Sequence, residues 1–340
     1  MIESNESFAS LLERRIEKIV QELIIQVPEQ LKTYIEVSKE FVMNSGKRLR
    51  PTLLLYSYLG YGGRNFEDAL TLAAVVEIMH NFLLIHDDVI DDSNFRRGKP
   101  TVHVTIGNAL RDEKLGKDVA IVIGDILSFH CIRYFALLSV DYLTLRRLID
   151  AFSKCYVLTG FGQLLDIIYS GRIDEGAVDS EVPTEISCLK TAYYTFSYPL
   201  VFGYLLTGGN DSEEESRIIK FGEKVGIAFQ YRDDIYGVFG GERKSTNDIQ
   251  EGKFTALLQT ALKLLPEARE EIIGLINRKD KLPEEIERIA EYIRNSGALD
   301  VVRKKIESLV SEGLKLLEEL KISSEYKEKI KILVTRIAET

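Results

Sequence analysis

Ile85-His86-Asp87-Asp88-Val89-Ile90-Asp91-Asp92-Ser93-Asn94-Phe95-Arg96-Arg97-Gly98-Lys99-Pro100-Thr101-Val102-His103 is the stretch whose reading decides the fold. Asp87 and Asp91 stand four apart, so on a helix both carboxylates project from one face. They close a long apolar run, Leu70 to Ile85, which reads as a buried core helix. Arg96 and Arg97 follow in a turn-prone loop. A carboxylate pair can hold Mg2+, and paired guanidiniums can clamp phosphate oxygens. A single Asp at a helix end is usually a solvated boundary. Here a second pair, Asp233-Asp234 within Gln230–Gly237, closes a second apolar stretch, Phe221 to Phe229. Two acidic pairs ending two apolar helices predict a two-sided site in which metal bridges to a diphosphate.

Working outward, the chain has 340 residues, of which 45 % are hydrophobic, enough for one large helical core. Its formal charge of −9 argues against nucleic acid as a partner, because phosphate backbones call for a basic surface. An anionic substrate must then meet local basic residues and metal. Cys131, Cys155 and Cys188 are scattered, with no Cys-x-x-Cys pair. Free thiols in a reducing cytoplasm fit better than a zinc site or a disulfide framework. The start, Met1 to Glu6, reads as no signal peptide. Leu70 to Ile85 contains Glu77, His80 and Asn81, too short and too polar for a transmembrane segment.

Helical periodicity dominates and strand alternation is absent. The pattern predicts helices over Phe8–Val27, Glu29–Asn44, Pro51–Gly60 and Phe66–Asp92, the last with Asn65 as N-cap. Further helices are predicted over Asp118–Leu138, Tyr142–Ser170, Thr184–Thr207, Ser212–Phe239 and Thr255–Leu264, with helical pairs from Glu267 onward. No repeat or linker divides 1–340, which reads as one all-α domain.

Ser45 to Pro51 is a basic turn before a helix, and a helix N-terminus flanked by Lys47 and Arg50 can hold an anion. His80 lies two turns before Asp87, roughly on its face. Gln163 and Asp166 are polar residues in an otherwise apolar helix, costly to bury without partners. Lys190 and Thr191 open the apolar, aromatic stretch Ala192–Leu200. Alone, each is more economically a solvated or satisfied core residue.

Six motifs in order give these residues a collective meaning. Gly-Lys-Arg-Leu-Arg-Pro, Asp-Asp-x-x-Asp with Arg-Arg-Gly-Lys-Pro-Thr, Gly-Gln-x-x-Asp, Lys-Thr-Ala-Tyr-Tyr-Thr-Phe, Phe-Gln-x-x-Asp-Asp and Asp-Ile-Gln-Glu-Gly-Lys span Gly46 to Lys253. This series resembles the signatures of the trans-isoprenyl diphosphate synthases. The resemblance implies the isoprenoid synthase fold, antiparallel helices around a deep central cavity, and a homodimer. It implies condensation of isopentenyl diphosphate with an allylic diphosphate, assisted by several Mg2+ ions. Asp87, Asp91 and Asp88 then match the first metal wall, and Asp233 and Asp234 the second, with Asp166 and Gln163 orienting the bound groups. Arg96, Lys190, Thr191, Gln230, Lys244 and Lys253 would hold the allylic diphosphate. Lys47, Arg50, His80 and Arg97 would hold isopentenyl diphosphate without metal. Phe82, five residues before Asp87, is similar to the lone aromatic of archaeal-type geranylgeranyl synthases, and Leu83 departs from the aromatic pair of many farnesyl synthases. With Met79 further down, Phe82 would floor the cavity and give a C20 product, with farnesyl or longer chains as the alternatives.

The chain departs from the pattern at Gly237, where the second motif lacks a third aspartate, and at its end, Arg336 to Thr340, which lacks a strongly basic tail. Two other readings compete. A class I terpene cyclase needs a hydroxyl residue and a glutamate at set places after Asp233, but Gly237 and Gly241 stand there, with Glu242 one residue late. A non-catalytic partner subunit should have lost acidic or basic motif residues, and both sets remain.

Overall fold

The computed structural model describes residues 7–44, 46–240 and 247–339. Lys244, Gly241 and Glu242 lie outside them.

The central element is α4 (Phe66–Ile90). Its sequence is apolar on every side, so it is buried all round, as a helix without a polar face must be. It packs against α1 (Phe8–Gln26), α3 (Leu49–Gly60) and α6 (Glu113–Ile132). Between α1 and α3 lies α2 (Lys32–Met43), and between α4 and α6 lies α5 (Val102–Leu110). Next come α7 (Tyr142–Tyr169) and two short helices, α8 (Glu175–Val178) and α9 (Val182–Ile186). A π-helical segment, Ser187–Ser197, leads into α10 (Tyr198–Leu206) and then α11 (Ser212–Phe239). The chain continues through α12 (Asp248–Glu251), α13 (Ala256–Leu264), α14 (Arg269–Ile276), α15 (Pro283–Asn295), α16 (Ala298–Glu319) and α17 (Ser324–Ala338). α7 and α11 each pack on the π segment, α10 packs on α3, and α16 and α17 back α11. The fold is all-α, apart from a two-residue hairpin pairing β1 (Phe95–Arg96) with β2 (Lys99–Pro100).

Several boundaries differ from the sequence pattern for identifiable reasons. The loop after α4 contains the small hairpin, closed by Arg97 (φ 53°) and Gly98 (φ 77°), both left-handed. α5, absent from the pattern, is only nine residues long. The helix expected over Thr184–Thr207 is three pieces, because the π segment inserts bonds five residues apart, as from Tyr198 to Tyr193. α6 begins at Glu113, five residues before the pattern's Asp118, where the Asp112 side chain caps it. Asn65 sits at the N-cap of α4, but its amide donates to Asp68 Oδ2 and caps nothing.

By length and composition α4 and Glu113–Leu137 could each cross a membrane. α4 is mostly enclosed by the bundle.

The chain directions set up the site. α4, α7 and α11 all end on the same chamber, with Asp87 and Asp91 at the end of α4, Asp166 in the last turn of α7, and Asp234 near the end of α11. The C-terminal end of a helix carries partial negative charge. Three such ends, each with carboxylates, form a place built for cations.

Candidate active site

The first wall is the end of α4. Asp91 donates its amide to the Asp87 carbonyl, and Asp92 turns left-handed (φ 54°), stopping the helix. Thr101 then closes the loop onto Ser93 and Asn94. That closure returns Arg96 over the helix end, where its Nε donates to Asp88 Oδ1 at 2.6 Å and its terminal nitrogen to Asp87 Oδ2 at 3.4 Å.

α7 supplies the neighbouring edge. Gln163 donates to Asp87 Oδ1 at 3.2 Å. Gly162 lies so close to the Lys190 backbone that an added Cβ would overlap it. This approach brings Lys190 Nζ within 3.1 Å of Asp87 Oδ1 and 2.6 Å of Asp166 Oδ2. From the other side Lys253 Nζ reaches Asp91 Oδ1 at 2.7 Å and Asp166 Oδ2 at 3.1 Å. Its loop is fastened by Gly252, left-handed at φ 71°, whose carbonyl accepts from Gly171 N, and by Lys281, which donates to the Gln250 carbonyl.

The lysines set the electrostatics. Burial alone would raise Asp87, but Lys190, Arg96 and Lys253 outweigh it and hold the carboxyl down at about 2. Asp88 is more tightly enclosed, and burial lifts it to about 7 against the pull of Arg96. Burial and the Asp87 charge raise Asp91. Burial opposes the charge on Lys190, yet Asp87, Asp166 and Asp91 keep its pKa well above the usual lysine value.

On the second wall Thr191 donates to Gln230 Oε1 at 2.6 Å, and Gln230 donates to Asp234 Oδ1 at 2.8 Å. Asp234 Oδ2 accepts from the Ala256 amide at the start of α13. Gln230 and Thr191 thus engage each other and Asp234. Asp233 is partly exposed beside Arg232, 4.0 Å away.

A chamber of about 310 Å³ opens between these walls. Asp87, Asp91, Arg96, Arg97, Asp166, Lys190, Gln230, Asp234 and Lys253 line it, together with Asp248 and Glu251. The sequence reading took Lys253 from Asp-Ile-Gln-Glu-Gly-Lys and passed over Asp248 and Glu251. The available signal was Gly237. An added Cβ there would overlap the Asp248 carboxylate, so the residue missing from the second motif leaves room for an aspartate from α12.

A basic group adjoins the chamber. Arg50 donates to Thr195 Oγ1 at 2.7 Å and stacks 4.2 Å over the Tyr194 ring, which in turn faces His80 at 5.8 Å. Arg97 donates to the Asn44 carbonyl and packs against Gly46. His80 is held neutral, its pKa pushed well down by burial and by Arg50, Arg97, Arg96 and Arg48. Lys47 is exposed, in the turn ahead of α3. Arg48, left-handed at φ 47°, is instead a buried tie from α3 to Glu13 of α1 and Glu77 of α4.

Below the chamber the bundle is filled by side chains. Met79 is buried, and Leu83 lies one turn below Asp87 on its face. Phe82 is turned about 140° from Asp87 at 100° per residue, and its ring sits 4.9 Å from His86.

Among the described residues no three acidic, histidine or cysteine side chains gather closely enough to ligate an ion, since lysines stand between the carboxylates. The donors themselves, hard carboxylate oxygens at three negative helix ends, suit Mg2+.

A family model described as polyprenyl synthetase matches residues 31–293. A geranylgeranyl diphosphate synthase of Saccharolobus solfataricus is 34% identical over 317 residues, covering 89% of this chain and 89% of that protein. A geranylfarnesyl diphosphate synthase of Aeropyrum pernix is 31% identical over 311 residues, covering 89% and 92%. A crystal structure of geranylgeranyl pyrophosphate synthase from Corynebacterium glutamicum, complexed with isoprenyl diphosphate and magnesium, superposes with TM-score 0.88 at 32% identity, covering 98% of each chain.

Proposed function

The chain belongs to the polyprenyl synthetase family, and from that premise we propose that it joins isopentenyl diphosphate to an allylic diphosphate, with Mg2+, to give geranylgeranyl diphosphate. It is a trans-prenyltransferase. The observation that carries the detailed reading is the chamber itself, where three acidic helix ends and two half-buried lysines adjoin Arg50 and Arg97, which have no ion-pair partner among the described residues.

Asp87, Asp91 and Asp166 on one side, and Asp233 and Asp234 on the other, would hold the metal, with Asp88 supporting through Arg96. Bound there, Mg2+ neutralises the charge that develops on the allylic diphosphate as its carbon–oxygen bond breaks. Lys190 and Lys253 turn from the carboxylates to the phosphate oxygens, and Arg96 and Lys244 complete their binding. Thr191 and Gln230 position Asp234. Lys47, Arg50, Arg97 and neutral His80 hold isopentenyl diphosphate, whose double bond attacks the cationic carbon before a proton leaves. The apolar surroundings keep water from the cation. Leu83 and Met79 would lie along the α4 side of the growing chain, whereas Phe82, expected from the sequence to floor the cavity, is turned away from the Asp87 face against His86. The C20 product draws on the names of the Saccharolobus and Corynebacterium relatives. A longer product is the second reading, favoured by the Aeropyrum relative.

The whole chain acts as one catalytic unit and pairs with a second copy. α6 presents Val122, Phe129 and Ile132, and α7 presents Val157, Phe161 and Leu164, as exposed apolar stripes that a second copy would cover. The three free thiols fit the cytoplasm.

The purified chain, given labelled isopentenyl diphosphate and farnesyl diphosphate, should form a linear C20 diphosphate, and chelation should abolish it. A hydrocarbon product, or none from the chain alone, overturns this reading.

A further inference from the structure

We infer that Tyr156 and Phe152, on one stripe of α7, form a two-step floor that sets the length of the product. The inference rests on the prenyl-transfer reading and concerns the wall opposite the familiar acidic helix.

The stripe follows from helical register. Tyr156 and Phe152 lie seven and eleven residues before Gln163, which hydrogen-bonds Asp87. Those spacings return to the same face within about 20°. At 1.5 Å per residue Tyr156 stands about 10 Å, and Phe152 about 16 Å, below the acidic chamber. α4 runs in the same direction, so His80, seven residues before Asp87, marks the upper of these levels. Tyr194 packs on His80, and both Arg50 and Tyr194 act electrostatically on Tyr156. From below, Cys131 does so too, with its Sγ 4.0 Å from the Val75 carbonyl. Tyr156 therefore lies between the reaction level and the bottom of the core.

The two rings differ in how firmly they are held. Phe152 is wedged, meeting Phe135 at 4.7 Å and Phe202 at 6.2 Å. Tyr156 rests on Phe152 at 4.6 Å, is only half-buried, and makes no side-chain hydrogen bond among the described residues. Tyr156 also keeps an accessible part, unlike the core residues around it. A partly accessible, unanchored ring over a wedged one is a plug above a fixed stop. The difference in depth, about 6 Å, is comparable to one isoprene unit.

The test uses the full chain with isopentenyl and dimethylallyl diphosphates, so that products shorter than C20 can also form, reading both total condensation and product length by mass spectrometry. Tyr156→Ala should lengthen the main product by one isoprene unit, and Tyr156→Ala with Phe152→Ala should lengthen it further. Tyr156→Trp should shorten it, which keeps the test decisive if the alanine variants fold poorly. Unchanged product length in Tyr156→Ala or Tyr156→Trp, with condensation retained, overturns the floor. Absence of any prenyl product from the wild-type chain would instead overturn the prenyl-transfer reading.

Discussion

Asp87 and Asp88 are adjacent in the chain and titrate in opposite directions. Lys190, Arg96 and Lys253 hold Asp87 ionised, with a pKa near 2, whereas burial brings Asp88 to about 7. Only the first is a permanent negative charge facing the chamber. Asp87→Asn should therefore lower kcat by roughly 100- to 1,000-fold, the scale of losing one preorganised charge-stabilising group, and Asp88→Asn by much less. Steady-state kinetics at saturating Mg2+, with circular dichroism to confirm the helices, checks both. Lys47→Ala should chiefly raise KM for isopentenyl diphosphate, because Lys47 is an exposed cation in the basic turn that leads to Arg50. Lys190→Ala should chiefly lower kcat, because its ammonium stands among the carboxylates. A change confined to the allylic KM in Lys47→Ala contradicts the two-subsite assignment. Leu83→Phe, on the Asp87 face, should shorten the product.

At the scale of elements, the glycines decide how closely helices approach. An added Cβ at Gly203 of α10 would overlap the Leu54 carbonyl of α3. Gly203→Ala should destabilise the fold by about 1–3 kcal/mol, measured by urea unfolding. Gly237→Ala should instead spare stability and lower turnover, because the group it meets is the Asp248 side chain in the chamber. The same distinction explains what the sequence could reveal. α4 and α11 were legible because an apolar run ending in carboxylates is a local pattern. The π segment was not, because Ser187–Ser197 alone has ordinary helical periodicity, and its register belongs with the contact between Lys190 and Gly162 of α7. The hairpin at Phe95–Pro100 is too short to alternate. Lys190 and Thr191 were legible as polar residues out of place, but not that Thr191 reaches Gln230 rather than open space. Tyr156 was silent for the opposite reason, since an aromatic on a buried helix face looks like any other core residue.

At the scale of the whole molecule, the exposed stripes on α6 and α7 are where the proposed second copy would pack. Phe129→Glu should shift the protein toward monomer in sedimentation velocity. The convergence of α4, α7 and α11 carries a thermodynamic consequence. Three negative helix ends and their carboxylates face one another across a small chamber, balanced by Lys190 and Lys253. A divalent cation arriving alone must displace ammonium groups that have nowhere better to go. Arriving with a diphosphate, it leaves them new anionic partners. Cation and anion should then each raise the affinity for the other, by the same factor in both directions. Anything that binds the folded chain alone also raises its melting temperature. Mg2+ with inorganic pyrophosphate should therefore raise Tm by more than the sum of the two separate shifts, so that heat stability becomes a gauge of how far the substrate completes the charge balance of the fold.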